Sequence, residues 1–393
     1  MVARMDWARW RDEFPSAARL VHMNHAGIAP LPRCVADAIR RFADDGVLLD
    51  AAVYKRWEAR AEAVRSAAAR LIGGRPHEMA FVRNTSEGLS LIASGLSWRA
   101  GDNVVTVADE YPSNVYPWFG LQRFGVETRL LARPQLRFTA ADLAPLIDAR
   151  TRLVAISAVD WQSGFRADLA AIAELCRSRG VVFVVDAIQA VGALQVDVAR
   201  DGIDVLAAGG HKWLLGPEGC GLLFVSESLL DRIYPAVLGW NSVTNAGVYL
   251  PYHFDLRPDA ARFEPGSAAH LGIHALGAAI DLLLEIGPPA IEARVLATTD
   301  SLADGLQRLG AGVLSPRDRA ERSAILTFAC GDTAALHTAL SDAGVVVRQR
   351  LGGIRLAPHF YNDADDVGRV LDVVAGFIAG DRSSRQAAKN AKL

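Results

Sequence analysis

The chain has only four cysteines among its 393 residues, and no two of them form a CxxC motif. They are Cys34, Cys176, Cys220 and Cys330. So sparse a set excludes a disulfide framework and a cysteine-ligated zinc site, and it is typical of a reducing compartment. We therefore expect a cytoplasmic protein without a structural metal, in which the cysteines act as small buried hydrophobic residues.

The sequence also lacks an excess of charge of either sign. Its 42 Lys and Arg residues against 44 Asp and Glu residues leave a formal net charge of −2. Nucleic acids and anionic membrane surfaces attract positively charged proteins, so we expect neither as a partner. No apolar run approaches the roughly 20 residues that a membrane-spanning helix needs, and the N-terminus lacks the apolar core of a signal peptide.

Short apolar runs rich in Val and Ile alternate with helical patterns through most of the chain. Continuous apolar runs are typical of strands that are covered on both faces. The strands predicted in this way are Asn103–Val107, Arg152–Val159, Val181–Val185, Ile203–Ala207 and Gly221–Val225. The helices predicted among them are Glu87–Leu96, Asn114–Phe124 and Asp168–Arg179. This alternation predicts an α/β fold with a mostly parallel sheet and helices on both sides.

The pattern changes near residue 265, where a long helix is predicted over His270–Ile286 because Gly287 and Pro288 stop it. A smaller α+β pattern follows, with a predicted hairpin of Val345–Arg348 and Gly353–Leu356. We therefore divide the chain into an N-terminal arm that packs on the small domain (1–25), a large α/β domain (26–265), connecting helices (266–310), a small α+β domain (311–380) and a flexible polar tail (381–393).

The most informative feature is a lysine at the end of an apolar strand. The stretch Asp204–Val225 brings two glycines and His211 in front of Lys212, and glycines let a ligand approach the backbone closely. Burying an ammonium group is costly unless the group is paired or its pKa falls, and one use of such a lysine is a covalent bond to a carbonyl cofactor. The local residues equally allow a lysine that binds phosphate or forms a salt bridge. A nucleotide P-loop is excluded because Trp213, rather than Ser or Thr, follows the lysine.

A carboxylate ends another predicted strand. Asp186 follows the run VVFVV, and Gln189 comes three residues later. The carboxyl ends of parallel strands face the crevice in which open α/β sheets bind ligands. An ionised carboxylate there can keep a pyridine nitrogen protonated, so that the ring accepts electrons. By itself Asp186 also fits a helix cap, but its occurrence one strand before Lys212 favours a cofactor site.

Two further segments follow predicted strands and could complete such a site. Thr85 and Ser86 stand at a predicted helix N-terminus, where backbone N–H groups and the helix dipole favour an anion such as phosphate. Tyr111 comes after another strand and could lie flat on a planar ring. In isolation the first segment would be an ordinary helix cap and the second an exposed turn.

Together these features resemble the class V aminotransferase family of fold-type I enzymes, which depend on pyridoxal 5′-phosphate (PLP). That family includes cysteine desulfurases, isopenicillin N epimerase-like proteins and kynureninase. The resemblance runs from the sequence NHAG at His25 to RLAPHFYN at Arg355, and its most specific segments are Asp186–Gln189 and Gly210–Lys212. It implies the fold-type I architecture, a large domain with a mostly parallel seven-stranded type of sheet and a small C-terminal domain.

The resemblance also implies a role for each candidate residue. Lys212 would hold PLP covalently and later move protons at the substrate carbon, while Asp186 would pair with the pyridinium nitrogen. The further cofactor contacts that it implies are Thr85, Ser86, Tyr111, Gln189, His211 and Ser267, the last reaching the phosphate across a homodimer interface. The substrate contacts that it implies are Arg355, which would bind a carboxylate of an amino acid, with Arg348 and His25 beside it.

The sequence departs from the desulfurase pattern at one place that matters for the reaction. Cysteine desulfurases carry a nucleophilic cysteine between the segments that match Arg348 and Arg355, and here that connection contains none. We therefore predict a C–S lyase that eliminates the β-substituent of a cysteine-like amino acid without an enzyme persulfide. An aminotransferase, an amino-acid epimerase and a cysteine desulfurase are the alternatives.

Two hypotheses from other functional classes fit the residues less well. A non-catalytic protein that kept the fold would be expected to have lost Lys212, Asp186 or Arg355, and all three are present. A nucleotide-binding enzyme would lack its glycine motif at a strand–helix junction and would leave Lys212 unexplained.

Overall fold

The computed structural model describes residues 6–133 and 135–390, with side chains described as far as Gly380. In chain order the strands are β1 (Val21–His22), β2 (Met79–Val82), β3 (Asn103–Val107), β4 (Glu127–Leu131), β5 (Thr151–Ser157), β6 (Val182–Asp186), β7 (Val205–Gly209), β8 (Gly221–Val225), β9 (Gly312–Val313), β10 (Leu326–Ala329), β11 (Val345–Val346), β12 (Arg348–Arg350) and β13 (Gly353–Leu356). The α-helices are α1 (Trp7–Arg11), α2 (Arg33–Val47), α3 (Ala51–Leu71), α4 (Thr85–Gly95), α5 (Tyr116–Phe119), α6 (Ala140–Leu143), α7 (Leu169–Arg179), α8 (Glu227–Leu230), α9 (His270–Ile286), α10 (Pro288–Arg308), α11 (Thr333–Asp342) and α12 (Ala364–Asn390).

Seven strands form the central sheet, in the order β2-β8-β7-β6-β5-β3-β4. Only β8 runs antiparallel to its two neighbours, and the remaining pairs are parallel. The structure therefore confirms the prediction of an α/β fold with a mostly parallel sheet. Strands β3 and β8 have the predicted bounds, and the other predicted strands are displaced or shortened by one to a few residues.

Alternate side chains of these strands enter two separate cores, one on each face of the sheet. Val185 and Leu206 belong to the core that helices α3, α7 and α9 cover, whereas Val184 and Val205 belong to the core beneath α4. All four side chains are fully buried. Burial on both faces explains why these strands appear as continuous apolar runs in the sequence.

The register of the parallel strands positions the candidate site. Ser157, the last residue of β5, lies opposite Asp186, the last residue of β6, and Asp186 lies opposite Ala207 of β7. Three neighbouring strands thus end at the same edge of the sheet, which is where open α/β sheets bind their ligands.

A second, antiparallel sheet of four strands has the order β12-β13-β10-β9. The N-terminal segment reaches this part of the molecule, because β1 pairs in parallel with β11. Phe14 stacks on Tyr361 with ring centroids 3.8 Å apart, and Arg11 forms an ion pair of 2.7 Å with Asp366. The segment 11–22 therefore packs against the segment 345–366.

Three elements differ from the predictions. The helix predicted over Asn114–Phe124 is instead a short α-helix, α5, between two 3₁₀ turns, because Pro117 cannot donate the hydrogen bond that a continuous helix interior needs. In the predicted hairpin, β11 pairs with β1 and only β12 pairs with β13. The last helix extends to Asn390, into the segment 381–393 that was predicted as a flexible tail. The flexibility of this segment stays a prediction, because its side chains and residues 391–393 lie outside the described part of the chain.

No single helix among the described residues is long and apolar enough to cross a membrane. Helices α9 and α10 meet the length and composition criteria only as a pair, and that pair is bent by 82°. In the structure the apolar residues of α9 lie in the core that packs on the large sheet.

Candidate active site

A cavity of about 270 Å³ opens where the large sheet meets the small one. Its lining residues are Ala26, Gly27, Asn84, Thr85, Ser86, Tyr111, Ser113, Trp161, Ile188, Gln189, His211, Lys212, Arg350 and Arg355. Seven of the candidate residues are therefore brought together from distant parts of the sequence: Thr85, Ser86, Tyr111, Gln189, His211, Lys212 and Arg355.

Lys212 follows the end of β7, and its side chain is 8% exposed. Burial lowers the pKa of its amine to about 8, although the nearby Asp186 opposes this shift. Its Nζ lies 5.4 Å from the ring centroid of Tyr111. A lowered pKa leaves a larger neutral fraction of the amine near neutral pH, which suits a nucleophile or a base.

Asp186 is 2% exposed and has one satisfied and one unsatisfied oxygen. Its Oδ1 accepts a hydrogen bond of 3.0 Å from the backbone N–H of Ile188, whereas Oδ2 is buried and has no partner among the described residues. Burial raises the pKa of the carboxyl to about 6, and Lys212 opposes the shift. Because an unsatisfied buried carboxylate is costly, this oxygen fits a protonated ring nitrogen such as that of PLP.

Glu110 is a second buried acid at this edge, and the sequence analysis did not identify it as a site residue. Its Oε1 accepts from the backbone N–H of Ser157 at 2.6 Å, and its Oε2 accepts from the hydroxyl of the same serine. Burial raises the pKa of Glu110 to about 7, and the charge of Asp186 raises it further. In the sequence, the only sign of a role for Glu110 is its position shortly after strand β3. Many residues that cap helices stand at such positions.

Gln189 is held in place by two hydrogen bonds. Its Oε1 accepts from the indole N–H of Trp213 at 2.8 Å, and its Nε2 donates to the backbone oxygen of Ala26 at 3.1 Å. An amide nitrogen carries two hydrogens, so the second hydrogen of Nε2 can be donated into the cavity. This arrangement fits the ring oxygen of PLP, the contact that the family resemblance implies.

The part of the cavity that is lined by Thr85 and Ser86 suits an anion. Helix α4 begins here, and its first backbone N–H groups have no partner within the helix. Ser86 Oγ lies 2.7 Å from Ser113 Oγ, and Thr85 Oγ1 accepts from the backbone N–H of Gly209 at 3.0 Å. A Cβ atom at Gly209 would lie 3.2 Å from both Ile188 and His211, so a larger residue there would be crowded. Hydroxyls and free N–H groups at a helix N-terminus fit a phosphate.

Arg355 of β13 forms the other wall, and its side chain is 2% exposed. Its Nη1 donates to the backbone oxygen of Trp161 at 2.6 Å, and its Nη2 donates to Asn24 Oδ1 at 3.2 Å. Its Nε is buried without a partner among the described residues. Burial lowers the pKa of Arg355 to about 9, with Arg350 and Arg348 adding to the shift. A carboxylate of the substrate would offer the missing negative charge.

Four of the predicted site residues are not among the lining residues of this cavity: Asp186, which is described above, and His25, Arg348 and Ser267. His25 is fully buried, with Nδ1 2.8 Å from the oxygen of Ala357 and Nε2 3.0 Å from the hydroxyl of Tyr361, so neither nitrogen is free for a substrate. Arg348 is exposed on β12, and Arg350 of the same strand lines the cavity instead. Ser267 lies in a separate cleft of its own chain.

The chain is similar to known proteins over most of its length. A family model described as Aminotransferase class-V matches residues 21–367. A cysteine desulfurase from Cronobacter sakazakii is 35% identical over 303 residues, which cover 70% of this chain and 71% of that protein. Isopenicillin N epimerase from Streptomyces clavuligerus is 29% identical over 401 residues, which cover 95% of this chain and 98% of that protein.

Among solved structures, the complex between the cystine C-S lyase C-DES and its reaction product cysteine persulfide is similar to this chain with a TM-score of 0.85 and 25% identity. The similarity covers 92% of this chain and 99% of that chain. These comparisons confirm the predicted family resemblance, the fold and the assignment of a PLP-dependent enzyme.

Proposed function

The chain belongs to the class-V aminotransferase family of PLP-dependent enzymes, and we propose that it acts as a C–S lyase on a cysteine-like amino acid. The observation that carries this proposal is a cavity with a buried lysine and no cysteine among its lining residues. The substrate would lose its β-substituent as a thiol, and water would convert the remainder into pyruvate and ammonia.

Each wall of the cavity has a task in this reaction. When bound, PLP supplies an electron sink for the negative charge that develops at the substrate α-carbon. Lys212 Nζ is the base that takes the α-proton, because its lowered pKa keeps part of the amine neutral. Asp186 Oδ2 would hold the ring nitrogen in its protonated form, and Arg355 would fix the substrate carboxylate.

The cysteines support elimination to a free thiol over transfer of sulfur to the enzyme. The turn between β12 and β13 consists of Leu351 and Gly352, which leaves no thiol at the place where desulfurases carry theirs. Burial raises the pKa of Cys34, Cys176 and Cys220 to about 12, so their reactive thiolate forms are scarce at neutral pH. The similarity to C-DES, which is itself named a cystine C-S lyase, supports the same reaction class.

The test is release of pyruvate from a panel of S-substituted cysteines, run beside an assay of amino transfer to keto acids. We expect pyruvate and ammonia in equal amounts from the native enzyme, and a loss of about a thousandfold or more in Lys212→Ala, because general-base and covalent contributions are both removed. Lys55→Ala is the matched control, since Lys55 is exposed on α3. Replacing all four cysteines with Ala should leave turnover within about threefold, if the substituted protein folds.

Three results would contradict this proposal. Alanine as product, with a persulfide on one of the four cysteines, would indicate a cysteine desulfurase. Amino transfer that depends on a keto acid, without pyruvate from the panel, would indicate an aminotransferase. Inversion of the α-carbon without either product would indicate an epimerase.

We also propose that two chains form a homodimer that completes the phosphate end of each site. The segment 237–254 exposes many large apolar side chains, a pattern that marks interaction surfaces. They are Val237, Leu238, Trp240, Val248, Tyr249, Leu250, Tyr252 and Phe254. The exposed Ser267 shares a cleft with Val237, so a second chain that covers this surface would also meet Ser267. Light scattering should give twice the mass of one chain, and a monomeric, fully active enzyme would contradict the proposal.

A further inference from the structure

We infer that the enzyme prefers an amino acid whose side chain carries a second anionic group, and that Arg350 binds this group. The inference rests on the proposed amino-acid substrate but not on the bond that is broken. It comes from the arginines of the small sheet, which exceed what one substrate carboxylate needs.

Three arginines share one face of this sheet. In the pairing of β12 with β13, Arg348 lies opposite Arg355, and Arg350 lies two residues further along β12. Residues that are paired across strands, and residues two apart along a strand, project from the same face. The positive charges of these arginines repel one another. Burial is the main cause of the lowered pKa of Arg355, and repulsion by Arg350 and Arg348 lowers this pKa further. An anion between them would relieve this repulsion.

The described part of the chain offers no such anion. Within residues 6–133 and 135–380, no Asp or Glu forms an ion pair with Arg348, Arg350 or Arg355. Asp160 is the acid whose charge acts on Arg355, but it already forms a buried ion pair of 2.6 Å with Arg133. The negative charge for this face must therefore come from a ligand.

Arg350 is directed toward the cavity by Trp161. The guanidinium carbon of Arg350 lies 5.0 Å from the ring centroid of Trp161, and its Nε is buried without a partner in the described part of the chain. The same tryptophan accepts the hydrogen bond from Arg355 Nη1 through its backbone oxygen. One residue thus orients both guanidinium groups toward the same space, with cation–π contact fixing the plane of the first.

The two arginines can therefore divide the substrate between them. A single guanidinium group satisfies a carboxylate with two parallel hydrogen bonds, and Arg355, the more deeply buried of the two, is sufficient for the α-carboxylate. Arg350 then remains for an acidic group on the side chain. Carboxylate, sulfinate and sulfonate share this chemistry, since each presents two or more acceptor oxygens.

The test is a binding titration of the PLP-loaded enzyme, followed by calorimetry and by the absorbance of the bound chromophore. The probes are L-aspartate, L-glutamate and L-cysteate, with L-asparagine, L-glutamine and S-methyl-L-cysteine as neutral counterparts. We expect the acidic probes to bind about tenfold or more tightly than the neutral ones. Arg350→Gln should remove this preference and change the affinity for the neutral probes by less than about threefold.

Arg123→Gln is the matched control. Arg123 also lies over an aromatic ring, with its guanidinium carbon 4.7 Å from the centroid of Phe124, but it is exposed and outside the cavity. It should leave the preference for acidic probes unchanged. Arg355→Gln, in contrast, should weaken the binding of both classes of probe.

Equal affinity for acidic and neutral probes in the native enzyme would overturn the inference. Equal weakening of both classes in Arg350→Gln would overturn it as well, because Arg350 would then serve the α-carboxylate. Binding and reaction are separate readouts, so a preference for acidic probes without pyruvate release would contradict the lyase proposal alone. Pyruvate release without that preference would contradict only the role of Arg350.

Discussion

The two walls of the cavity bury charges of opposite sign. Next to the lining residues, the large sheet buries Asp186 and Glu110, and this burial raises their pKa values. The face of the small sheet presents Arg355 and Arg350, whose pKa values are lowered by burial. Burial therefore makes the charged forms of the groups on both walls costly, and neither wall fully compensates the other.

This difference indicates what each wall binds. Asp186 Oδ2, Arg355 Nε and Arg350 Nε are buried without partners among the described residues, and such groups are costly in a folded protein, so a ligand of opposite charge would complete each wall. The acidic wall requires a positively charged group, as a protonated pyridine nitrogen would be, and the basic wall requires anions. We therefore propose that the large sheet holds the cofactor and that the small sheet selects the substrate.

The acidic wall is tested most strongly by Asp186→Asn, which keeps the shape of the side chain and removes its charge. We expect exchange of a substrate α-proton with deuterated solvent to slow by about a thousandfold or more, which corresponds to about 4 kcal/mol. Asp204→Asn is the control. Asp204 lies directly before β7, at the opposite end of the parallel strands from Asp186. Nuclear magnetic resonance can follow the exchange, and a near-native rate in Asp186→Asn would remove this residue from the mechanism.

The second acid predicts a dependence of stability on pH in the cofactor-free protein. The pKa of Glu110 is about 7 in the folded state against 4.5 as its ordinary value, so the folded state binds this proton more tightly. Stability should therefore fall as the pH rises from about 4.5 to 7, by about 3 kcal/mol from this group.

Glu110→Gln should remove that part of the slope, because an amide does not titrate. The measurement is the free energy of unfolding in urea at pH 5 and at pH 8 for both proteins. We expect the native protein to lose more stability between these values than the variant does. The same loss in both proteins would show that Glu110 is not a buried acid that holds its proton.

The basic wall is tested by Arg355→Lys, which keeps the charge and loses the paired geometry of the guanidinium group. We expect the KM for a reactive amino acid to rise by about tenfold to a hundredfold. A substrate analogue without the α-carboxylate, such as an S-substituted cysteamine, should bind the two proteins about equally. An equal loss for both compounds would mean that Arg355 shapes the site without contacting the carboxylate.

The parts of the fold that local signals dictate could be predicted from the sequence. Helix α9 has its predicted bounds because Gly287 and Pro288 end it. Strand β4 was not predicted because it is the edge strand of the sheet, and its polar residues Glu127 and Arg129 are at least partly exposed. Such a strand has neither the continuous apolar run of a fully buried strand nor the regular alternation of apolar and polar residues of a half-buried one.

The site residues that stand at the ends of strands could be predicted from the sequence. Lys212 could be recognised because burying an ammonium group is costly, and Asp186 because it stands at the end of a predicted strand, one strand before this lysine. Arg350 was missed, since whether it or Arg348 faces the cavity depends on the twist and position of the small sheet. His25 was placed in the site from a motif, although only its neighbours Ala26 and Gly27 line the cavity. The cytoplasmic location stays a prediction.

The pairing of β1 with β11 has a consequence for the order in which the molecule is assembled during synthesis. Asn24 forms a β-bridge with Ala357 and accepts from Arg355, a residue 331 positions later in the chain. All seven strands of the large sheet have been synthesised once the chain reaches Val225, and domains generally fold as units during synthesis, the N-terminal part first. A nascent chain that stops before Val345 therefore possesses the residues of the acidic wall and lacks Arg350 and Arg355, the two residues that we propose bind the substrate.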